Sequence, residues 1–342
     1  MKKITLLLCF VLLVCSSTFV NAQTGKSEYK ITNKITLGGA GGWDYLSVDD
    51  AAGRLYVSHA SQVMVVDLKK GALAGTVPNT PGVHGIAVAQ DLGKGFVSCG
   101  ADSSVVVFDL KTLAFIAKIK VTGRNPDAIL YDPYKHLVFT FNGGSSSSTV
   151  LDAKTNKVIA TIPLAGKPEF PQSDGKGKVY VNIEDKSSLS VIDVNTLKVE
   201  NTWPIAPGEE ASGLALDNVT HRLFAVCSNK LMIVMDALTG KVITSLPIGN
   251  RCDGVAFDPG TKRVFSSNGD GTMTVVQEVN ADTFKVLENV PTQNGARTIA
   301  CDKSTHALYL PSAEYLPQAA GATGRPQMKP DSFMVIEVKP VM

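Results

Sequence analysis

Short apolar runs separated by glycine, aspartate or proline turns fill this chain from Tyr29 to Val338, and one of them returns on a fixed period. Val65-Val66-Asp67, Val107-Phe108-Asp109, Val150-Leu151-Asp152, Val191-Ile192-Asp193 and Val234-Met235-Asp236 carry it, their aspartates spaced by 42, 43, 41 and 43 residues. Each marker sits in the same template. A first apolar run follows a glycine-containing turn. A second, such as Leu55-Tyr56-Val57-Ser58 or Val179-Tyr180-Val181-Asn182, is aromatic and β-branched, as strands prefer. The marker run is third. A fourth, such as 157–163 or 241–247, alternates apolar with polar residues and ends in proline, which suits an outer strand with one wet face. Four strands on a period of 41 to 43 residues predict the blades of a β-propeller. Seven units count off, the fourth with a degenerate first strand near Phe170, and the last has three strands, ending at 333–338. Residues 29–37 read as the missing outer strand. The prediction is an all-β, seven-bladed propeller of four-stranded antiparallel blades, closed by pairing of the N-terminal strand with the last blade.

Ahead of the repeats stand Lys2-Lys3, an apolar run over 4–14 and the small-residue site Val20-Asn21-Ala22. This predicts a secretory signal peptide over 1–22 and one propeller domain over 23–342, exported to a periplasm or the medium. An alternative is a lipid on Cys15 after Leu12-Leu13-Val14, which the bulky Val14 disfavours. The apolar run is too short to cross a hydrocarbon core of about 30 Å, and no later run is longer. Of 33 basic residues, Lys2 and Lys3 leave with the leader, and the rest match 31 acidic residues. A chain of zero net charge has no global attraction for nucleic acid. Cys99, Cys227, Cys252 and Cys301 remain in the exported part without a CxxC or CxxCH pair, which argues against c-type haem and paired-cysteine zinc sites. Cys227 and Cys252, on adjacent blades, are read as a disulfide or as two packed thiols.

The repeats resemble the YVTN β-propeller repeat family of exported bacterial proteins, through Leu55-Tyr56-Val57-Ser58, Val179-Tyr180-Val181-Asn182, Asp132-Pro133, Asp258-Pro259 and the Asp-x-x-Thr-x-Lys-Val turns at 152–158 and 193–199. The resemblance covers 29–339. It implies the fold and leaves the chemistry open, because look-alike propellers include binding proteins, lactonases, reductases and dehydrogenases.

In a propeller, the loops before the first strand and after the second open on one face. The repeat therefore nominates two rings of mouth residues. Just before the first apolar run stand Asp44, His84, Asp127, Glu169, Ser212, Asp253 and Arg297; at the end of the second strand stand His59, Cys99, Asn142, Glu184, Cys227, Asn268 and Ser312, with Glu314 following. On a structural account they hydrate a channel and cap strand ends. On a functional account, the carboxylates Asp44, Asp127, Glu169 and Asp253 need a cation, Arg297 or a charged ligand to offset them, and oxygen donors of this kind suit calcium. His59, His84 and Cys99 offer a second set, for copper or zinc. The sequence names no dedicated metal or cofactor. Residues 314–332, rich in Gly, Ala and Pro, interrupt the seventh unit on the mouth side as a lid or a tether, and the Gly143–Ser148 run is a shorter loop there.

Gly-x-Ser-x-Gly, a phosphate loop and Gly-x-Gly-x-x-Gly before a helix are all missing from the sequence. That disfavours serine hydrolases, kinases and nucleotide-dependent dehydrogenases, and five histidines without CxxCH disfavour a redox propeller. The reading is a binding or scaffold propeller presenting its mouth to a small polar ligand or a protein partner. The runner-up is a metal-assisted hydrolase of the lactonase type, using Asp127, Glu169, Asn142 or Asp253. Ligand identity and oligomeric state are not encoded in any motif.

Overall fold

The computed structural model describes residues 28–317 and 327–341. The expected leader, Cys15 and residues 318–326 of the seventh-unit insertion lie outside them. The described residues form seven four-stranded antiparallel sheets. Blade 1 runs outward from Trp43–Asp49 through Arg54–His59 and Gln62–Asp67 to Ala72–Val77. The innermost strands of blades 2 to 6 are Val83–Ala89, Pro126–Asp132, Pro168–Ser173, Ala211–Asp217 and Cys252–Asp258. Blade 7 consists of Ala300–Asp302, Ala307–Ser312 and Met334–Pro340, with Tyr29–Thr36 as its outer strand. Inner strands touch in chain order, and the seventh touches the first. The ring is closed, and it is a seven-bladed β-propeller.

The closure is the predicted one. Tyr29 pairs with Pro340 and Thr36 with Met334, with one irregularity between Ile31 and Asn33. Tyr29 is buried and meets Phe265 of blade 6 edge-on at 5.2 Å, so the first strand is anchored to two blades. Glu288, also of blade 6, accepts the backbone N–H groups of Glu28 and Tyr29 at 2.9 and 3.1 Å.

The periodic aspartate has a structural cause. Asp152 Oδ1 accepts the N–H groups of Lys154 and Thr155 and the Thr155 hydroxyl at 3.0, 2.7 and 3.0 Å. Asp109 and Asp236 repeat the arrangement. The fourth residue after the marker is left-handed, as Gly71, Leu113, Asn156, Leu197 and Gly240, and turns the chain into the outer strand. Backbone bonds, led by that from Thr155, hold the Asp152 carboxyl below the usual carboxylate range. The most visible repeat in the sequence is thus turn chemistry.

Candidate functional site

A β-bulge at the top of the inner strand builds the mouth. In blade 1, Trp43 pairs with His59 and Leu46 with Val57, so Asp44 and Tyr45 face one partner residue, Ser58. Equivalent shifts lie between Val83 and Ile86, Pro126 and Ile129, Pro168 and Pro171, Ala211 and Leu214, and Cys252 and Gly254. Each therefore contains one member of the predicted first ring: His84, Asp127, Glu169, Ser212 or Asp253. A bulge re-aims a side chain that the pleat would bury.

Three of the bulges, and the ring residue of blade 7, are fixed from the preceding blade. Ser98 donates to the Asp127 carbonyl, Asn182 Nδ2 to Ser212 O at 2.9 Å, Ser267 Oγ to Arg297 O at 2.6 Å and Thr298 Oγ1 to Asp44 O at 2.7 Å. Ser98, Asn182 and Ser267 are fully buried polar residues of their second strands. Each donor thus links one blade's second strand, or in blade 7 the segment just before its inner strand, to the next blade's ring residue. The mouth groups are held by the rigid sheets of the ring.

The ring residues converge as a charged cup. His84 Nδ1 lies 2.7 Å from Asp44 Oδ2 and 3.4 Å from Asp127 Oδ1. Arg297 pairs closely with Asp253 and stands 3.5 Å from Asp44. Lys167 Nζ bridges Glu169 at 2.7 Å and Glu184 at 2.5 Å. Four carboxylates, with Glu184 at the rim, thus face two permanent cations. Burial, then Asp44, raises the Asp127 carboxyl above the ordinary range; burial and Asp127 do the same for Glu169 against the pull of Lys167. Burial raises Asp253 as well, opposed by Arg297. Burial alone would lower His84, but the hydrogen bond with Asp44 and the Asp127 charge prevail, so the imidazole holds its proton more tightly. Chemically, the cup suits a cation or a ligand that donates hydrogen bonds.

Tyr45 and Phe170 close the channel below it. The residue after the ring position is Gly85, Ala128, Gly213, Gly254 or Thr298 in five blades. A Cβ on Gly213 or Gly254 would stand 2.9 Å from backbone atoms of the next blade, so these glycines let inner strands approach closely. Blades 1 and 4 carry aromatics instead, and the Tyr45 and Phe170 rings meet across the axis at 5.1 Å. The Tyr45 hydroxyl is pushed far up in pKa by burial and by Asp127, Asp44, Glu169 and Asp253. Under this plug is a cavity of about 280 Å³ touching Leu46, Ile86, Leu130, Gln90 and Gln172, with no charged residue in its lining. Beside the cup, under the seventh-blade loop, a cavity of about 470 Å³ is lined by Trp43, Arg251, Asn294, Arg297, Tyr315 and Met328 among others. The described arms of that loop join through a bridge between Tyr315 and Met328.

The second predicted ring is largely absent from the mouth. His59, Cys99, Asn142, Cys227 and Asn268 pair in register with the first residues of the inner strands and are fully buried within the sheets. Asn142 is satisfied by Thr140, Ser147 and Thr149, and Asn268 by Ser266, Thr272 and Thr274. His59 stacks on Phe333 at 4.1 Å, and burial lowers its pKa. Burial pushes the Cys99 thiol up to about 11. His59, His84 and Cys99 do not form one cluster; among the described residues the metal-sized group is Asp44, His84 and Asp127. Glu184 does reach the rim through Lys167, whereas Glu314 is exposed on the loop and paired with Lys329 at 2.8 Å. Cys227 and Cys252 are free thiols, Cys252 Sγ donating to the Cys227 carbonyl at 3.1 Å. Lys167, Tyr45 and the buried Ser98, Asn182 and Ser267 were not singled out by the sequence reasoning. Ser98, Asn182 and Ser267 share one second-strand position with Ser58, a recurrence of polarity in an apolar run, and Tyr45 stands where five blades place a small residue; Lys167 carries no such signal.

No family model matches the chain. Over 176 residues it is 28% identical to Antigen Lp49 of Leptospira interrogans serogroup Icterohaemorrhagiae serovar copenhageni, covering 48% of this chain and 38% of that protein. The chain thus aligns with well under half the length of this curated relative. Among solved structures it is similar to a chain of a mitotic checkpoint complex, with TM-score 0.73 and 12% identity over 90% of this chain and 95% of that one. It is also similar to U3-55K, at TM-score 0.74 and 9% identity over 92% and 98% of the two chains. The WD40 repeats of RRP9 give TM-score 0.74 and 8% identity over 91% and 98%. At such identities the likeness carries the fold alone, a WD40-like propeller.

Proposed function

We propose that this chain is an exported propeller of the YVTN type that binds a small polar ligand at its mouth. Export rests on the expected leader over 1–22, and a relative named as an antigen accords with it. The observation that carries the binding reading is the shared position of Arg297. It closes one side of the carboxylate cup and lines the adjoining cavity of about 470 Å³, a volume suited to a small molecule. A ligand there would place a cationic or hydrogen-bond-donating end among Asp44, Asp127 and Asp253, and its body beside Trp43 and Tyr315. Native mass spectrometry of the chain purified from its own exported compartment tests this. A bound small molecule or ion is expected on the wild type and lost from an Asp127→Asn, Glu169→Gln variant. Identical bare-chain spectra for both would contradict it, and a protein partner co-purifying independently of these residues would favour the scaffold reading.

One observation keeps the hydrolase reading alongside. Asp44, His84 and Asp127 lie within metal-binding reach, and Glu169, its carboxyl raised in pKa, stands on the next blade as an acid or base. Asn142, an expected member of that site, is taken up inside its blade. Hydrolysis of a lactone panel by metal-loaded protein, abolished by Glu169→Gln, would support it. Failure of the loaded protein to turn over any of the panel would remove the lactonase reading.

A further inference from the structure

We propose that Asp44, His84 and Asp127 together hold a divalent transition-metal ion at the base of the mouth, an inference that rests on reading the mouth as the binding site. One oxygen of each carboxylate and a ring nitrogen of His84 all lie within 4.8 Å of one another. Ligand atoms around an ion at about 2.0–2.2 Å stand about 3–4 Å apart, so the three need only small side-chain adjustments to surround one. They come from three consecutive blades, and the Asp44 and Asp127 carbonyls are clamped by Thr298 and Ser98, which favours a preset geometry.

Two further observations point to an occupant. Asp127 Oδ1 is a buried atom without a hydrogen-bond donor, its approach to His84 being 3.4 Å. A buried carboxylate oxygen left without a donor is costly unless a cation meets it. Glu169 and Asp253 are already engaged by Lys167 and Arg297, which leaves the triad as the part of the cup without a permanent cation of its own, apart from the edge of Arg297 at 3.5 Å from Asp44. The donor set selects the ion. One imidazole with two carboxylates suits zinc, manganese or iron(II), whereas calcium takes six to eight oxygens. The thiols are not competitors, since Cys99, Cys227 and Cys252 are buried inside the blades.

Isothermal titration of chelator-treated full chain with zinc chloride tests the proposal. One equivalent is expected to bind the wild type, with affinity lowered by at least about tenfold in His84→Ala and in Asp127→Asn. His136→Ala, whose ring bonds Asp91 and Tyr131 away from the cup, should bind as the wild type does. Circular dichroism and melting curves establish that each variant is folded, and if one is not, the other supplies the reading. Absence of binding to folded wild type at millimolar zinc overturns the proposal, as does equal binding by the His84 and Asp127 variants. If zinc fails while native mass spectrometry still shows a small molecule dependent on Asp127 and Glu169, the metal proposal falls and the mouth reading stands. Failure of both removes both.

Discussion

Phe170 and Tyr45 occupy a repeat position where the other blades place glycine, alanine or threonine, and their contact stands between the charged cup and a chamber lined without charged residues. Phe170 is partly exposed, so Phe170→Ala should cost about 2–3 kcal/mol, under the 3–5 typical of fully buried aromatics, and should join the two spaces. Urea denaturation measures the first effect; a change below about 0.5 kcal/mol would mean that the rings do not support each other. A second residue-scale prediction concerns Glu278 of blade 6, which is fully buried, accepts the Thr220 hydroxyl at 2.7 Å and leaves Oε2 without a donor. Burial, with Asp217 nearby, raises its carboxyl to about 7. The native state then binds a proton that the unfolded state releases near the ordinary value, so stability from this group is greatest at low pH and falls as pH rises toward about 7. Glu278→Gln should flatten that part of the stability profile, and an unchanged slope would refute the assignment. At this scale the sequence showed the right kinds of residue at the mouth, because polarity recurs at one repeat position. It did not show the plug, because an aromatic in an apolar run looks like any other core residue.

The bulge is the element that turns a strand end into a site. A period-2 reading assigns successive residues to opposite faces, and one inserted residue shifts that assignment for everything beyond it. This is why Asp44, His84, Asp127, Glu169 and Asp253 reach the cup while His59, Asn142 and Asn268, taken from the adjacent strand end, are enclosed. The strands themselves were legible in composition and period, but the register between them was not, since it depends on pairing that no single strand records. The donors that hold the bulges should matter accordingly. Ser98→Ala leaves the Asp127 carbonyl without its inter-blade donor, and should cost about 1–2 kcal/mol while weakening any ligand that depends on Asp127. Chemical denaturation and ligand titration on the same variant check both. A loss of stability without a change in binding would mean that the clamp serves the fold alone.

For the whole molecule, closure by Tyr29–Thr36 makes the ring a single mechanical frame, and it was readable in advance because the last unit lacked a fourth strand whose template appeared at the other end. Removing residues 29–36 exposes the edge of Met334–Pro340 and strips Tyr29 from Phe265, so the shortened chain should melt well below the intact one. An equal melting temperature would contradict the pairing. Within that frame, carboxylates from four blades face one another, Glu169 buried and Asp44, Asp127 and Asp253 partly so, an arrangement that lowers stability unless something binds there. The most direct test compares urea denaturation of metal-free wild type and the Asp127→Asn, Glu169→Gln variant at neutral pH. If the cup is a binding site maintained at a cost to the fold, the neutralised variant is more stable, by about 1 kcal/mol or more. A variant less stable than the wild type would mean that these carboxylates hold the blades together, and would contradict the account.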